Sequence, residues 1–360
     1  MKSSTSKKTI VIAGGGTGGH IYPGIAIARA IQKIDPQIEV HFVGTSRGLE
    51  SKIVPREGFP LHLIESGQLN VKSPIQKIKT LLKIPKALWQ SVQLLGRLKP
   101  LYVIGVGGYA SGPFVLAAST IGFNTAIWEP NAMPGMANRL LSRFVDKCFV
   151  VFGDAKKHLK NDQVLQPGMP VRAEIESAVH EKHSDEKFHL LAFGGSQGSR
   201  VINNALSDAI LKGGDWVKDL SVVHQVGSAD IQTILAKYQA PPCEVKPQEF
   251  IYDMPKYYQW ADIIVCRGGA SSLAEAAAFG IIPIVIPLPA ADDHQQRNAE
   301  SLVAKNAARM ILQKDLTPER LISEIQALRN DKQLREQMVQ NIKAFYIPQA
   351  ATAIAKEILQ

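Results

Sequence analysis

In "GGGTGGH", residues 14–20, five glycines precede a histidine. Gly14, Gly16 and Gly19 have the G-x-G-x-x-G spacing of a dinucleotide-binding turn, where glycine lets the backbone approach a pyrophosphate. Such a site also needs an acidic residue at the carboxyl end of the second strand to hold the ribose hydroxyls. The segment in that place, "IEVHFVG", is followed by Thr45, Ser46 and Arg47, and Glu39 stands at the wrong end. His20, directly after Gly19, has no role in a cofactor turn. Imidazole there suits proton transfer near neutral pH. The bland alternative is a histidine that only hydrogen-bonds the turn or a diphosphate.

Two later glycine turns are built for anions. "GGSQGSR" (194–200) offers backbone N–H groups and the Ser196 hydroxyl at the end of an apolar run. "CRGGASSLAEAAAFG" (266–280) runs from a strand through Gly268 and Gly269 into a helix, whose first N–H groups make an anion site. Two phosphate-friendly turns in the second half and a histidine-bearing turn in the first suit a nucleotide diphosphate held by one domain and attacked across a cleft.

These turns need strands to carry them. Apolar runs recur along the chain: "TIVIA", "IEVHFVG", "LYVIGVGG", "TAIWEP", "FHLLAFGG", "LSVVHQVG", "CEVKPQEF", "DIIVC" and "IPIVIP". Bounded by glycine and separated by helix-length segments, they predict parallel sheets with crossover helices, an α/β fold. The openings "TIVIAGGGTGGH" and "FHLLAFGGSQGSR" repeat one another, which predicts two Rossmann-like domains in tandem. The 360 residues suffice for two such cores. The hinge falls in "QPGMPVR" (166–172), giving domains 1–168 and 169–345, with a closing helix at about 346–360 joining the first.

Bulk composition excludes several classes. Apolar residues at 45% and charged residues at 20% fit a globular protein and not a disordered chain. The apolar run Ile10–Ala13 is too short for a signal peptide. Cys148, Cys243 and Cys266 lack C-x-x-C pairing and read as reduced thiols. No charged residue occurs between Lys99 and Glu129, but five interruptions by glycine and proline make that stretch a strand, a loop and a buried helix, not a membrane span. The net charge of +9 is one-sided: residues 1–172 hold 22 Lys/Arg against 9 Asp/Glu, the remainder 19 against 23. Such a field attracts an anionic partner.

"GGGTGGH", "GGYASGP", "GGSQGSR", "EFIYDM", "CRGGASSLAE" and "DDHQQRNA", in that order, resemble the GT-B glycosyltransferases of the MurG type, over nearly the whole chain. The resemblance implies an α/β GT-B fold, two Rossmann-like domains with parallel sheets facing across a cleft. It implies inverting transfer of N-acetylglucosamine from UDP-GlcNAc to the C4 hydroxyl of an undecaprenyl-linked N-acetylmuramyl-pentapeptide diphosphate, at the cytoplasmic face of the bacterial inner membrane. The first domain would take the lipid acceptor and the second the UDP-sugar.

By the same resemblance His20 would be the base, with Thr17, Gly18 and Gly19 beside it. Ser196 and Arg172 would meet phosphate, and the backbone of Ile251 would meet uracil. Ala270, Ser271, Ser272, Leu273 and Ala274 would lie beneath the diphosphate. Glu275 would accept both ribose hydroxyls, although Ser272-x-x-Glu275 also reads as a capping box. Gln295 and Asn131 would contact the sugar. One motif departs: family members commonly show H-E-Q-N where this chain has Trp128-Glu129-Pro130-Asn131, and Pro130 stiffens that loop. Asp292, Asp293 and His294 form an unbroken run without metal-ligand spacing. The expectation is no obligatory metal or other cofactor, because helix and loop dipoles can stabilise the leaving group.

The segment "SPIQKIKTLLKIPKALWQSVQLLGRLKP" opens with Ser73 as N-cap and Pro74 at N1; Ile75, Ile78 and Leu82 share one helical face and Pro85 ends that helix. Leu88, Val92 and Leu95 then repeat the spacing. The lysines 72, 77, 79, 83 and 86 have no acid among them, so an interfacial patch of Lys72, Ile75, Lys77, Lys79, Leu82, Lys83 and Trp89 against an anionic membrane is expected. A UDP-GlcNAc 2-epimerase or a glycolipid glycosyltransferase of the same fold is the nearest rival, and an epimerase would not need this segment. A nucleic-acid-binding protein is disfavoured, since no stacking aromatics accompany the basic residues.

Overall fold

The computed structural model describes residues 8–46, 48–67, 84–171, 173–176, 186–290 and 292–360. The chain forms two units, Met1–Arg172 with Gln349–Gln360, and Ala173–Pro348.

The first unit contains, in chain order, β1 (Thr9–Gly14), α1 (Gly18–Ile34), β2 (Glu39–Gly44), α2 (Glu50–Arg56), β3 (Leu61–Leu63), α3 (Ile84–Leu98), β4 (Tyr102–Gly107), α4 (Ser111–Thr120), β5 (Asn124–Glu129), α5 (Met136–Leu141), β6 (Lys147–Val150) and β7 (Val164–Leu165). Its seven strands are parallel in the order β3-β2-β1-β4-β5-β6-β7, with Val11 opposite both His41 and Val103. Every residue of β1 is buried, as a strand covered on both faces requires. One face packs Val11, Val43, Val103, Ile127 and Cys148 beneath Leu95 of α3, Phe114 of α4 and Leu141 of α5.

The second unit follows with α6 (Ala173–Glu176), β8 (Phe188–Phe193), α7 (Arg200–Leu211), β9 (Leu220–Gln225), α8 (Ile231–Lys237), β10 (Glu244–Gln248), α9 (Met254–Trp260), β11 (Ile263–Cys266), α10 (Ala270–Phe279), β12 (Ile282–Val285), α11 (His294–Val303), β13 (Arg309–Met310), α12 (Pro318–Asn330) and α13 (Lys332–Lys343). Its six parallel strands run β10-β9-β8-β11-β12-β13. Leu190, Val222, Ile263 and Ile284 pack with Leu206 of α7, Leu321, Ile325 and Leu328 of α12, and Met338 of α13. The last helix, α14 (Ala350–Leu359), belongs to the first unit: it packs along α1, and Lys147 Nζ bonds the Glu357 carboxylate at 2.9 Å.

All nine apolar runs read as strands are strands. β3, β6, β7 and β13 were not expected; they have two to four residues each, short enough to lack a pattern of their own. The uncharged stretch after Lys99 is β4, a glycine turn and the buried α4, and among the described residues no helix is long and apolar enough to cross a membrane. In both sheets the strand order reverses once, between β1 and β4 and between β8 and β11. Ligands of open parallel sheets bind outside the carboxyl ends of the strands at such switch points. The glycine turns singled out in the sequence lie there.

Candidate active site

At the first switch point the turns after β1 and β4 are pressed together. Gly15 N–H donates to Gly107 O at 3.1 Å, and a Cβ on Gly108 would stand 2.3 Å from Gly15 O. Gly107 and Gly108 have φ of +98° and +82°, a second reason for glycine. α1 starts immediately after the first turn, so Gly18, Gly19 and His20 occupy its first three positions, with Thr17 as N-cap. Thr17 and Gly19 are exposed and the Thr17 hydroxyl makes no cap bond. The His20 ring lies close enough to Gly107 that a Cβ there would meet Nδ1 at 2.6 Å and Cε1 at 2.7 Å. His20 Nδ1 is buried. The glycine of one turn thus seats the imidazole of the other.

The acid missing after β2 is present in another role. Glu50, 1% exposed at the start of α2, accepts hydrogen bonds from Gly16 N at 2.7 Å, Thr45 N at 2.9 Å and Thr45 Oγ1 at 3.0 Å. A Cβ on Gly15, Gly44 or Gly48 would collide with the Glu50 side chain. A dinucleotide turn presents its second glycine N–H to pyrophosphate; here that N–H is taken by Glu50. Sequence reasoning missed Glu50, and its only signal was the glycines at 44 and 48 around it.

Asn131 follows β5. Its backbone N and its Nδ2 both donate to Glu129 Oε1, at 2.9 and 3.0 Å, while Gly135 N and Asn138 Nδ2 donate to Oε2 at 3.0 and 2.9 Å. Burial pushes the Glu129 carboxyl above the ordinary range, against these amide donors that pull it down. Glu129, given no role in the sequence analysis, therefore shapes the Pro130–Gly135 loop and holds Asn131 by its backbone and side-chain amides. Trp128 is fully buried in β5, a core residue.

At the second switch point the turn after β8 bends at Gly195, whose O accepts from Gly198 N at 2.9 Å, and presents Ser196 exposed at its tip. Gln225, buried at the end of β9, donates to Gly195 O at 2.8 Å and accepts a long bond from Ile251 N at 3.4 Å. Ile251 is buried as a whole residue, with its backbone N–H directed to Gln225. Beneath, Asn203 donates to Val226 O at 2.8 Å and to Asp230 at 3.0 Å, and His224 lies between Asn203 Oδ1 (3.1 Å) and the Tyr238 hydroxyl (3.2 Å). Burial lowers the His224 pKa to about 3, so it is neutral.

α10 begins at Ala270 with Gly269 as N-cap. Ser272 is therefore the third helical residue and Glu275 the sixth, so the two do not form a capping box. Leu273 N already donates to Gly269 O at 3.0 Å, which leaves the N–H groups of Ala270, Ser271 and Ser272 as those α10 can offer an anion. Ala270, Leu273 and Ala274 turn their side chains into the core, while Ser271, Ser272 and Glu275 are half-buried. Glu275 Oε2 accepts from the Tyr258 hydroxyl at 3.0 Å. Arg267 ties the turns together, donating to Ser199 Oγ at 2.8 Å and Ile286 O at 3.0 Å. Gln295 Oε1 accepts from Gly268 N at 3.2 Å and Leu288 N at 2.9 Å, so its amino group is the end a sugar can use. Gln296 donates to Glu300 at 2.8 Å. Among the described residues no group of three or more His, Cys, Asp or Glu is placed to hold a metal ion.

The expected phosphate contact Arg172 and the patch residues Lys72, Ile75, Lys77, Lys79, Leu82 and Lys83 lie outside the described residues. Trp89 is 60% exposed on α3. Pro85 is the second described residue of α3, and the helix expected before it, from Ser73, lies outside the described residues. Leu95 is buried, but Val92 is exposed, because the core face of α3 is Ala87, Ser91, Leu94 and Leu95. Lys86 does have an acid: it pairs with Glu65 at 2.7 Å.

Comparison with known proteins identifies the family. Residues 10–150 match the glycosyltransferase family 28 N-terminal domain and residues 189–356 the family 28 C-terminal domain. A protein of Bdellovibrio bacteriovorus, described as UDP-N-acetylglucosamine--N-acetylmuramyl-(pentapeptide) pyrophosphoryl-undecaprenol N-acetylglucosamine transferase, is 83% identical over 99% of this chain and 100% of its own. A transferase of the same description from Anaeromyxobacter sp. is 42% identical over 96% of this chain and 91% of its own. The crystal structure of Acinetobacter baumannii MurG superimposes with a TM-score of 0.83 at 28% identity, covering 98% of this chain and 99% of that one. The chain belongs to the UDP-N-acetylglucosamine--N-acetylmuramyl-(pentapeptide) pyrophosphoryl-undecaprenol N-acetylglucosamine transferases, built from the two domains of glycosyltransferase family 28.

Proposed function

We infer that this protein transfers N-acetylglucosamine from UDP-N-acetylglucosamine to the C4 hydroxyl of undecaprenyl-diphospho-N-acetylmuramyl-pentapeptide, the step from lipid I to lipid II in peptidoglycan synthesis. The observation that carries this reading is the 83% identity to the Bdellovibrio transferase over 99% of the chain.

In this reading the first unit binds the acceptor and the second the UDP-sugar. The C4 oxygen attacks the anomeric carbon from the side opposite UDP, its proton leaves to His20, and the bond to the β-phosphate oxygen breaks. With Nδ1 buried toward Gly107, Nε2 is the nitrogen that takes the proton. The departing diphosphate gains charge, which the N–H groups of Ala270, Ser271 and Ser272, the dipole of α10 and the Ser196 hydroxyl stabilise. Glu275 accepts the ribose hydroxyls, the Ile251 backbone reads uracil, and Gln295 and Asn131 contact the sugar. Arg172 adds its charge to the phosphates. Helix and turn dipoles supply the electrostatics, so the reading includes no obligatory metal.

The protein works, in this reading, as a peripheral protein on the cytoplasmic leaflet of the cell membrane. Support comes from the basic excess of residues 1–172 and from the outer side of the helix layer α3–α5. Trp89, Val92, Ile121, Met136, Leu140 and Phe144 are exposed there, with Arg139 and Arg143 among them. Apolar side chains interleaved with cations suit an anionic headgroup layer.

The test is UDP release from UDP-N-acetylglucosamine with and without the lipid-linked acceptor. Acceptor-dependent release is expected. Tight UDP-sugar binding without acceptor dependence would move the function to an epimerase or to another acceptor.

A further inference from the structure

We propose that Tyr258 is a positioning residue for nucleotide recognition, its hydroxyl holding the Glu275 carboxylate in the plane that two neighbouring ribose hydroxyls need. The inference rests on the ribose role given to Glu275 above. Tyr258 is 1% exposed and donates to Glu275 Oε2 at 3.0 Å. Its ring is fixed from two sides: Phe193, the last residue of β8, meets it edge-on at 6.2 Å, and Phe279, the last of α10, lies at 5.4 Å. α9, which carries it, is itself anchored, with the Asp253 carboxylate accepting from Lys256 N and proline in the first turn.

The terminal torsion of a glutamate is soft, with a broad two-fold profile. A half-buried Glu275 without a fixed partner would present its two oxygens over a range of planes. Two vicinal hydroxyls can donate one to each oxygen only when that plane is set. Each carboxylate oxygen has two lone-pair directions, so Oε2 can accept from Tyr258 and from a ribose hydroxyl together. A hydrogen bond to an ionised acceptor is also the stronger kind. The same contact joins α9, which begins three residues beyond the uracil-facing Ile251, to the carboxylate on α10, so base and sugar are read by one connected unit.

The experiment measures binding of UDP and of 2′-deoxy-UDP by calorimetry to the full-length protein, its Tyr258→Phe and Glu275→Ala variants, and the double variant. Thermal melts of each accompany it. Glu275→Ala is expected to bring the ratio of the two affinities to about one. Tyr258→Phe is expected to weaken UDP by about 5- to 10-fold and 2′-deoxy-UDP by less, so the ratio falls. In turnover the variant shows a raised KM for UDP-N-acetylglucosamine with kcat within about twofold of the parent. The double variant binds UDP no more weakly than Glu275→Ala alone, because the hydroxyl acts only through the carboxylate. A wild-type ratio in Tyr258→Phe beside a lost ratio in Glu275→Ala overturns the positioning role and leaves the ribose role standing. A double variant weaker than Glu275→Ala by the full Tyr258→Phe factor also overturns it. Wild-type ratios in both single variants overturn the ribose role of Glu275 and the inference with it.

Discussion

Replacing Gly107 by alanine tests whether His20 must stay where the second glycine turn seats it. The new Cβ would stand 2.6 Å from Nδ1, whereas ordinary contact begins at 3.4 Å, so the ring must retreat by about 0.8 Å. A misplacement of about 1 Å in a reacting group costs on the order of 100-fold in rate, so kcat should fall by about 50- to 100-fold. The φ of +98° adds about 1–2 kcal/mol of backbone strain, which would lower the melting temperature without touching chemistry. Gly122→Ala separates the two effects: its φ is +87°, and nothing lies within 4 Å of the added Cβ. Both variants should melt lower by about 2–8 °C, while only Gly107→Ala loses turnover. The assay is steady-state UDP release at saturating acceptor, with UDP binding by calorimetry unchanged in both. If Gly107→Ala turns over within about threefold of Gly122→Ala, His20 is not held at the reacting hydroxyl and the base assignment fails.

Glu50→Ala leaves three donors around a buried cavity and should destabilise the protein by about 3–5 kcal/mol, with Glu50→Gln losing less, measured by chemical denaturation; an unchanged midpoint for Glu50→Ala would contradict its anchoring role. His224, with its pKa lowered to about 3, binds fewer protons folded than unfolded. Its contribution is complete above the unfolded value of about 6.5 and is lost as pH falls from there toward 3, at up to about 1.4 kcal/mol per pH unit. The difference in melting temperature between about pH 7 and pH 4.5 should therefore shrink in His224→Asn, and an equal drop in variant and parent would place the acid sensitivity elsewhere. Reversing Lys77, Lys79 and Lys83 to Glu should weaken sedimentation with anionic vesicles by about 100-fold or more at low salt, at about 1 kcal/mol per lost cation; salt-insensitive binding equal to the parent would remove the patch from the membrane reading.

Much of the framework was readable because both sheets are parallel and covered on two faces, so their central strands are uninterrupted apolar runs ending in glycine. β1 and β8 are legible for that reason, and their turns fall at the switch points because each strand leads the order reversal. β7 and β13, two residues each, take their extended shape from a neighbouring strand and carry no signal of their own. The residues proposed to meet ligand are marked by motif, but those that hold them are not. Glu50 acts on Gly16 from 34 positions away, and Tyr258 on Glu275 from 17, so each pairing appears only once the helices have packed. Gln295 reads as a sugar contact, yet its carbonyl is spent on Gly268 and Leu288, since a turn crossing a helix start needs acceptors for its own N–H groups. Trp128 departs from the family's histidine without reaching the site, because its strand position points it into the core.

The central claim is inverting transfer of N-acetylglucosamine to the lipid-linked acceptor. Incubating the full-length protein with UDP-N-acetylglucosamine and the undecaprenyl-linked N-acetylmuramyl-pentapeptide diphosphate, then determining the product's anomeric configuration by NMR, tests it most directly. The account predicts one disaccharide, β-linked at C4 of the muramyl sugar, formed in step with UDP. An α-linked product, or UDP-sugar converted to its 2-epimer with no disaccharide, would contradict it.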